Sequence, residues 1–411
     1  MGRLRSFVAS QVLQIRKGDR RVLLRKILHI LLLVPGVVIV LILRFMSRWV
    51  HVRFGQLLSH RIGHYAANTE VYLCRRDTFP ADRKFVDLFY NSEPVSNEQL
   101  YRMWKRVICI NGFIRYLYRF TFLVPGGSEH RLQMGGFLDR DTGALMADTP
   151  PHLTFTREET VSGGESLKNM GVSEGTPFIC FHARDPVYLS RKYPQYDWSY
   201  HDYRNSEINN FLPGVEELVK RGYRALRMGS LVGQQLRTDN PEIIDYASNG
   251  SRSEFLDVFL SAHCRFFLST GTGLDAIPMV FRRPIVYVNF SPVEYVHSYV
   301  RDSLTIFKKY WLAGEQRFMT FREIITSGAG RFMDSADYAR HGIELKENTP
   351  EEIRDVMLEM DERLNGTWRE SEEDEELQRR FWSLIPESEL NGVVRARIGA
   401  QYLRDNRNLL D

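Results

Sequence analysis

Cysteine is scarce in this chain of 411 residues: Cys74, Cys109, Cys180 and Cys264 are the whole set, and no two form a C-x-x-C pair. A disulfide framework and a zinc site of the usual spacing are thereby unsupported. Cys109, Cys180 and Cys264 lie in or beside apolar runs, where a free thiol acts as a small hydrophobe, and reduced thiols fit a cytoplasmic catalytic domain. Net charge is nearly absent as well. Fifty-five Lys and Arg against 51 Asp and Glu leave +4, so composition does not point to nucleic acid. There is no Gly-Lys-Ser/Thr, which disfavours a P-loop NTPase.

The charge that is present is unevenly placed. Arg3, Arg5, Arg16, Lys17, Arg20, Arg21, Arg25 and Lys26 stand against a single acid, Asp19. At the other end, residues 370–376 form an acidic run that reads as a solvated helix face or linker. After the basic stretch comes one apolar segment, residues 27–43, with Pro35-Gly36 in its middle and Arg44 behind it. Seventeen helical residues would span about 25 Å, short of a hydrocarbon core of about 30 Å. No small-residue cleavage site follows, so a cleaved leader is not expected. Three readings stand open: a spanning anchor, a re-entrant or interfacial helix, and a buried core helix. All told, the segment predicts membrane association, with the catalytic part on the cytoplasmic face. Arg48, Arg53 and Arg61 make the second flank basic too, so charge does not fix an orientation.

Four regions follow from the pattern: a basic and membrane-associated segment (1–50), an acceptor-side domain (51–170), a nucleotide-binding domain (171–345), and C-terminal helices packing back across both (346–411). In the second region 71–73 and 107–110 look like short buried strands. From 170 onward strands and helices alternate: strands at 178–182, 224–228, 264–269 and 285–289, helices at 209–221, 255–261 and 274–281. Repeated βα units predict an α/β fold of two Rossmann-like domains with parallel sheets. Such sheets bind ligands at the carboxyl ends of their strands.

Those ends carry chemistry. His182-Ala-Arg184-Asp185 follows the first strand, and an arginine there can grip phosphate oxygens with both guanidinium nitrogens. Its bland reading is an ion pair with a neighbouring carboxylate. Arg227 and Gly229 close the next strand, as a second cation and a close backbone approach, or as an ordinary turn beside a surface arginine. Ser269-Thr270-Gly271-Thr272-Gly273 lies where a strand turns into a helix, so its amides, hydroxyls and the helix dipole suit a diphosphate. A plain tight turn is the alternative. The segment also matches G-x-G-x-x-A, but it comes late in the sheet, and the next strand ends at Asn289 rather than at an acid, which argues against a nicotinamide site. Between the first two strands, Arg204 precedes Asn205 and Ser206, either of which suits a helix N-cap.

Taken in order, F-H-A-R-D, Y-R-N-S, R-x-G, S-T-G-T-G and R-R-P-I-V-Y-V-N resemble the donor domain of fucosyltransferase-like GT-B glycosyltransferases, more narrowly a bacterial group linked to surface polysaccharide. The resemblance covers residues 170–300. It implies a GT-B architecture and transfer of a sugar from a GDP- or UDP-linked donor to a glycan or lipid-linked acceptor. It further implies that His182 and Arg184 hold the diphosphate, that 269–273 contacts the phosphates, and that the other domain chooses the acceptor. Asp185-Pro186 stands where the fucosyltransferases often have a second arginine and an aspartate, so donor base and sugar stay open. Arg184, Arg204 and the turn amides would neutralise the leaving group without a metal or other cofactor. The base could be Asp185, His182, Asp202 or Glu207. Two other classes remain: an epimerase acting on free nucleotide-sugar, and a non-catalytic membrane-tethered scaffold.

Overall fold

The computed structural model describes residues 27, 28, 31–79, 84–192 and 194–411. The basic residues between 3 and 26 lie outside them, as do two residues of the apolar segment. The chain divides into two compact units. The smaller takes its described residues from 1–58, 79–93 and 104–134, the larger from 59–78, 94–103 and 135–411.

The smaller unit holds a parallel sheet in the order β3-β2-β1-β4, made of β1 (His51–Leu57), β2 (Phe85–Asn91), β3 (Cys109–Ile110) and β4 (Arg131–Leu132). Neither β1 nor β2 is a continuous apolar run. Arg53, in mid-strand, is made tolerable by a fork onto Asp87 (2.7 and 2.9 Å) and by the Phe85 ring 4.1 Å away. Helix α1 (Leu33–Met46) covers part of the N-terminal apolar segment. Pro35 falls in its first turn, where a missing N–H costs nothing, and a turn at Leu32 separates the helix from helical residue 31 before it. Among the described residues no helix is long and apolar enough to cross a membrane.

The larger unit is built on a seven-stranded parallel sheet, order β14-β10-β9-β8-β5-β6-β7. Its members are β5 (Phe178–His182), β6 (Arg224–Arg227), β7 (Ile243–Ile244), β8 (Phe267–Ser269), β9 (Ile285–Phe290), β10 (Ser303–Phe307) and β14 (Arg397–Ile398). β5, β8 and β9 are buried along almost their whole length, as a parallel sheet covered on both faces requires. A three-stranded antiparallel sheet of β11 (Lys309–Leu312), β12 (Arg317–Phe318) and β13 (Ile343–Lys346) lies in the same unit.

Residues 71–73 are not a strand. They belong to α2 (Ile62–Asp77), whose residues 65–74 are all buried. With Asn68, Thr69 and Glu70 buried beside the apolar residues, no one-sided helical stripe shows in the sequence. In the C-terminal part, α3 (Pro350–Leu364) buries Ile353, Val356, Met357 and Met360. The acidic run opens α4 (Glu372–Leu384), where Ser371 and Asp374 form a capping box and carboxylates complement the helix dipole. The run is therefore not merely solvated: Asp374 is buried, 2.9 Å from the Arg404 guanidinium.

Candidate functional site

From β5 the chain winds outward through β6 to β7, then crosses back and winds the other way through β8, β9 and β10. The direction reverses between β5 and β8, and a doubly wound sheet opens its ligand crevice at that point. His182 and Ser269 are register partners at the two strand ends there. The 182–185 and 269–273 segments singled out in the sequence thus meet at one place. The Arg184 N–H donates to Thr270 Oγ1 (3.0 Å), and the Arg204 guanidinium donates to the Gly271 carbonyl.

Arg184 and Arg204 make no ion pair with any described carboxylate, contrary to the bland reading of Arg184. The Arg184 pKa is lowered to about 10, first by burial and then by the neighbouring Arg204 charge. His201 sits in the same field: burial, then Arg184, Arg204 and Arg61, lower its pKa to about 4. Among the described residues, buried Arg184 Nε, His201 Nδ1, Ser206 Oγ and Thr272 Oγ1 have no hydrogen-bond partner. Cations without carboxylate partners and unsatisfied buried polar atoms gathered in one crevice suit an anion.

Other sequence candidates have work within the fold. Asp185 spends both oxygens on backbone donors, Val187 (2.7 Å), Gly233 (2.6 Å) and Gln234 (3.2 Å), and so staples one loop to another. Arg227 is buried and 3.1 Å from Asp245, which leaves it no free charge. Gly229 has φ +150 beside His182, a backbone that only glycine adopts readily. Asn289 (φ +51) exchanges amide contacts with Asn348 and anchors that loop. Neither Asn205 nor Ser206 caps the following helical turn; Glu207 does. His182 donates Nδ1–H to the Met228 carbonyl (3.0 Å), and burial lowers its pKa to about 4.

The helix that follows 269–273 brings little dipole to it. That helix, Ala276–Val280, is five residues long. The Thr272 N–H goes to Asp275 Oδ2 (2.7 Å), which also accepts from Ser269 Oγ (2.9 Å). The helix start that faces this turn is that of α2, 16 residues long and without a side-chain cap. A Cβ on Gly63 would lie 2.9 Å from Gly273 Cα, so two glycines let the backbones touch. Arg61 sits at the α2 N-cap, a cation where the dipole favours an anion.

Sequence reasoning missed this whole corner: Arg61, Gly63, His64 and His201. Ser59-His60-Arg61 lies just past the end of β1 as Ala183-Arg184 lies just past β5, but that parallel shows only once β1 is known. His64 Nδ1 is 3.1 Å from Asn68 Oδ1 and 3.9 Å from Asp139 Oδ2, with both side chains 31% exposed. Asp139-Arg140-Asp141 has the D-x-D form, yet Asp141 Oδ2 is taken by the Met146 N–H (2.7 Å) and Arg140 donates to the Tyr295 carbonyl (2.8 Å). An aromatic row also leads to the site. Tyr196, Trp198, Tyr200, His201 and Tyr203 follow one another with ring centroids 5.8, 6.0, 3.9 and 6.4 Å apart. The row runs from a Tyr196 that is 61% exposed to a Tyr203 that is 7% exposed.

Among the described residues one metal-like cluster lies elsewhere: Glu70, Cys74 and His152, with ligand atoms within 4.8 Å of one another. The Arg282 guanidinium is already there, 2.6 Å from Glu70 Oε1 and 3.6 Å from Cys74 Sγ. Hydrogen bonds to Cys74 and then Glu70 raise the His152 pKa to about 10. The cluster holds its own cations and ties the fold together.

No family model and no curated protein matches this chain. Solved structures do. It is similar to a glycosyl transferase of family 9 from Veillonella parvula (12% identity, 76% of this chain and 96% of that one, TM-score 0.45). It is also similar to the E. coli ADP-heptose lps heptosyltransferase II (13% identity, 62% and 90%, TM-score 0.35) and to the wall teichoic acid polymerase TagF (9% identity, 71% and 71%, TM-score 0.27). Likenesses this distant leave function to the site's own residues.

Proposed function

We propose that this protein is a glycosyltransferase of GT-B type that moves a sugar from a nucleoside-diphosphate donor to an acceptor hydroxyl. The observation that carries the reading is the set Arg184, Arg204 and Arg61 around the strand-order reversal, without described carboxylate partners. In the reaction the acceptor oxygen bonds to the anomeric carbon, the bond from that carbon to the β-phosphate oxygen breaks, and the nucleoside diphosphate leaves with the electron pair. Charge grows on the departing phosphate. Preorganised guanidinium groups and the uncapped α2 start stabilise it without reorganising at the moment of transfer. The acceptor proton needs a base that Asp185 is poorly placed to be, because backbone donors occupy it. His64, oriented by Asn68 and Asp139, takes that role in our reading, and the aromatic row supplies flat faces for an acceptor glycan.

The test is nucleotide release measured with and without an acceptor, using GDP-, UDP- and ADP-sugars. Release that depends on acceptor supports transfer. Donor turnover without acceptor points instead to an epimerase or hydrolase, and tight binding without turnover to a scaffold.

A further inference from the structure

Helix α1 has the composition of a buried helix and the exposure of a surface one. Its sequence, LVPGVVIVLILRFM, contains a single charge, and a helix apolar on every side normally belongs inside a core. Only Gly36 and Val40 are buried. That narrow stripe packs on Phe120 and Val124, with Leu32, Val37 and Tyr116 around it. Gly36 is what permits the approach, because a Cβ there would collide with the Phe120 ring. The rest of the helix faces outward: Val34 is 72% exposed, Phe45 67%, Ile42 52%, and Val38 and Leu41 48% each. Trp49 just beyond it is 58% exposed, and the turn between Phe120 and Val124 points Phe122 (62%) and Leu123 (60%) outward. A soluble monomer rarely leaves so much contiguous apolar surface uncovered.

Cations accompany these side chains. Arg48 lies over the rings of Phe45 (5.7 Å) and Trp49 (5.2 Å), and Arg131 over Phe122 (3.9 Å). Arg44 donates to the Gly126 carbonyl (2.7 Å) and lines a cleft of about 380 Å³ with Arg48. Rings with a polar neighbour and arginines whose stems lie on apolar surface are the groups that settle at the boundary between lipid headgroups and acyl chains. At 14 residues, about 21 Å, α1 by itself is shorter than a hydrocarbon core. A two-fold contact with a second copy of this chain would crowd Arg48 and Arg131 of both copies into one seam, while Arg44 is already offset by Glu129 at 3.4 Å.

We propose that the outward face of α1, with Trp49, Phe122 and Leu123, docks in one leaflet of a bilayer rich in anionic lipid, with Arg48 and Arg131 at the headgroups. This is the interfacial one of the three readings of the N-terminal segment. It does not depend on glycosyl transfer.

Flotation of the full chain with vesicles tests it, comparing phosphatidylcholine alone with a phosphatidylcholine–phosphatidylglycerol mixture. The parent binds the anionic vesicles far better. Ile42→Asp with Phe45→Asp lowers partitioning about tenfold or more, while the thermal midpoint and nucleotide binding stay as in the parent. Arg48→Glu weakens binding about fivefold or more on anionic vesicles and little on neutral ones. Retained binding by the Ile42/Phe45 variant would overturn the proposal, since the basic N-terminal residues would then suffice. So would a parent that forms a dimer in solution and ignores vesicles. If the double variant fails to fold, Phe122→Ser with Leu123→Ser on the adjoining turn is read by the same criteria.

Discussion

At the scale of single residues, the site is held ready by guanidinium charges that have no carboxylate partner among the described residues. Arg184→Ala removes a charge-assisted contact of about 1.5–3 kcal/mol, so affinity for a nucleoside diphosphate should fall by roughly 10- to 150-fold in calorimetry. The fold should survive, because the Arg184 bond to Thr270 uses backbone N–H. His182 makes a separate prediction. Its pKa in the folded protein is about 4, below the ordinary 6.5, because burial opposes the charged form. As pH falls the unfolded chain takes up the proton first. Stability from this residue is therefore whole above pH 6.5 and is lost progressively toward pH 4, by up to about 3 kcal/mol. Denaturant titrations of His182→Gln at several pH values should show a shallower acid slope than the parent.

At the scale of elements, α2 and the aromatic row decide how the crevice is used. Gly63→Ala places a methyl group against Gly273 and should cost about 1–3 kcal/mol in stability while weakening diphosphate binding. Chemical denaturation and calorimetry on one sample check both. Trp198→Ala with Tyr200→Ala should raise acceptor KM several-fold and leave donor affinity unchanged; an effect confined to the donor would sink the acceptor role. What could be read in the sequence follows the same division. The βα rhythm after residue 170 was legible because β5, β8 and β9 are apolar strands punctuated by glycine and polar residues. Ser269–Gly273 and His182–Arg184 were legible because they stand at those strand ends. Strands β1 and β2 were not, because Arg53 and Asp87 break the apolar pattern and only their pairing explains them. Helix α2 hid behind its buried polar residues, and with it went the helix start at the site and the cation at its N-cap.

At the scale of the molecule, a net charge of +4 says little about a positive crevice, because neutralisation elsewhere masks it. Nucleoside diphosphates should raise the thermal midpoint more than monophosphates, by an amount that grows with ligand concentration and shrinks with salt. A chelator should leave that shift intact if arginines and α2 carry the phosphates; its loss would require a cation.

The two parallel sheets end in very short strands. β3 and β4 bound one, β14 and β7 the other, and each is two residues long. Arg131 and Arg397 place charge on two of those borders. A stray strand from another chain finds too few open backbone groups there to extend the sheet. Aggregation at high concentration should therefore be amorphous and suppressed by detergent, arising from the apolar face of α1 rather than from strand addition, and fibre-specific dyes should stay dark.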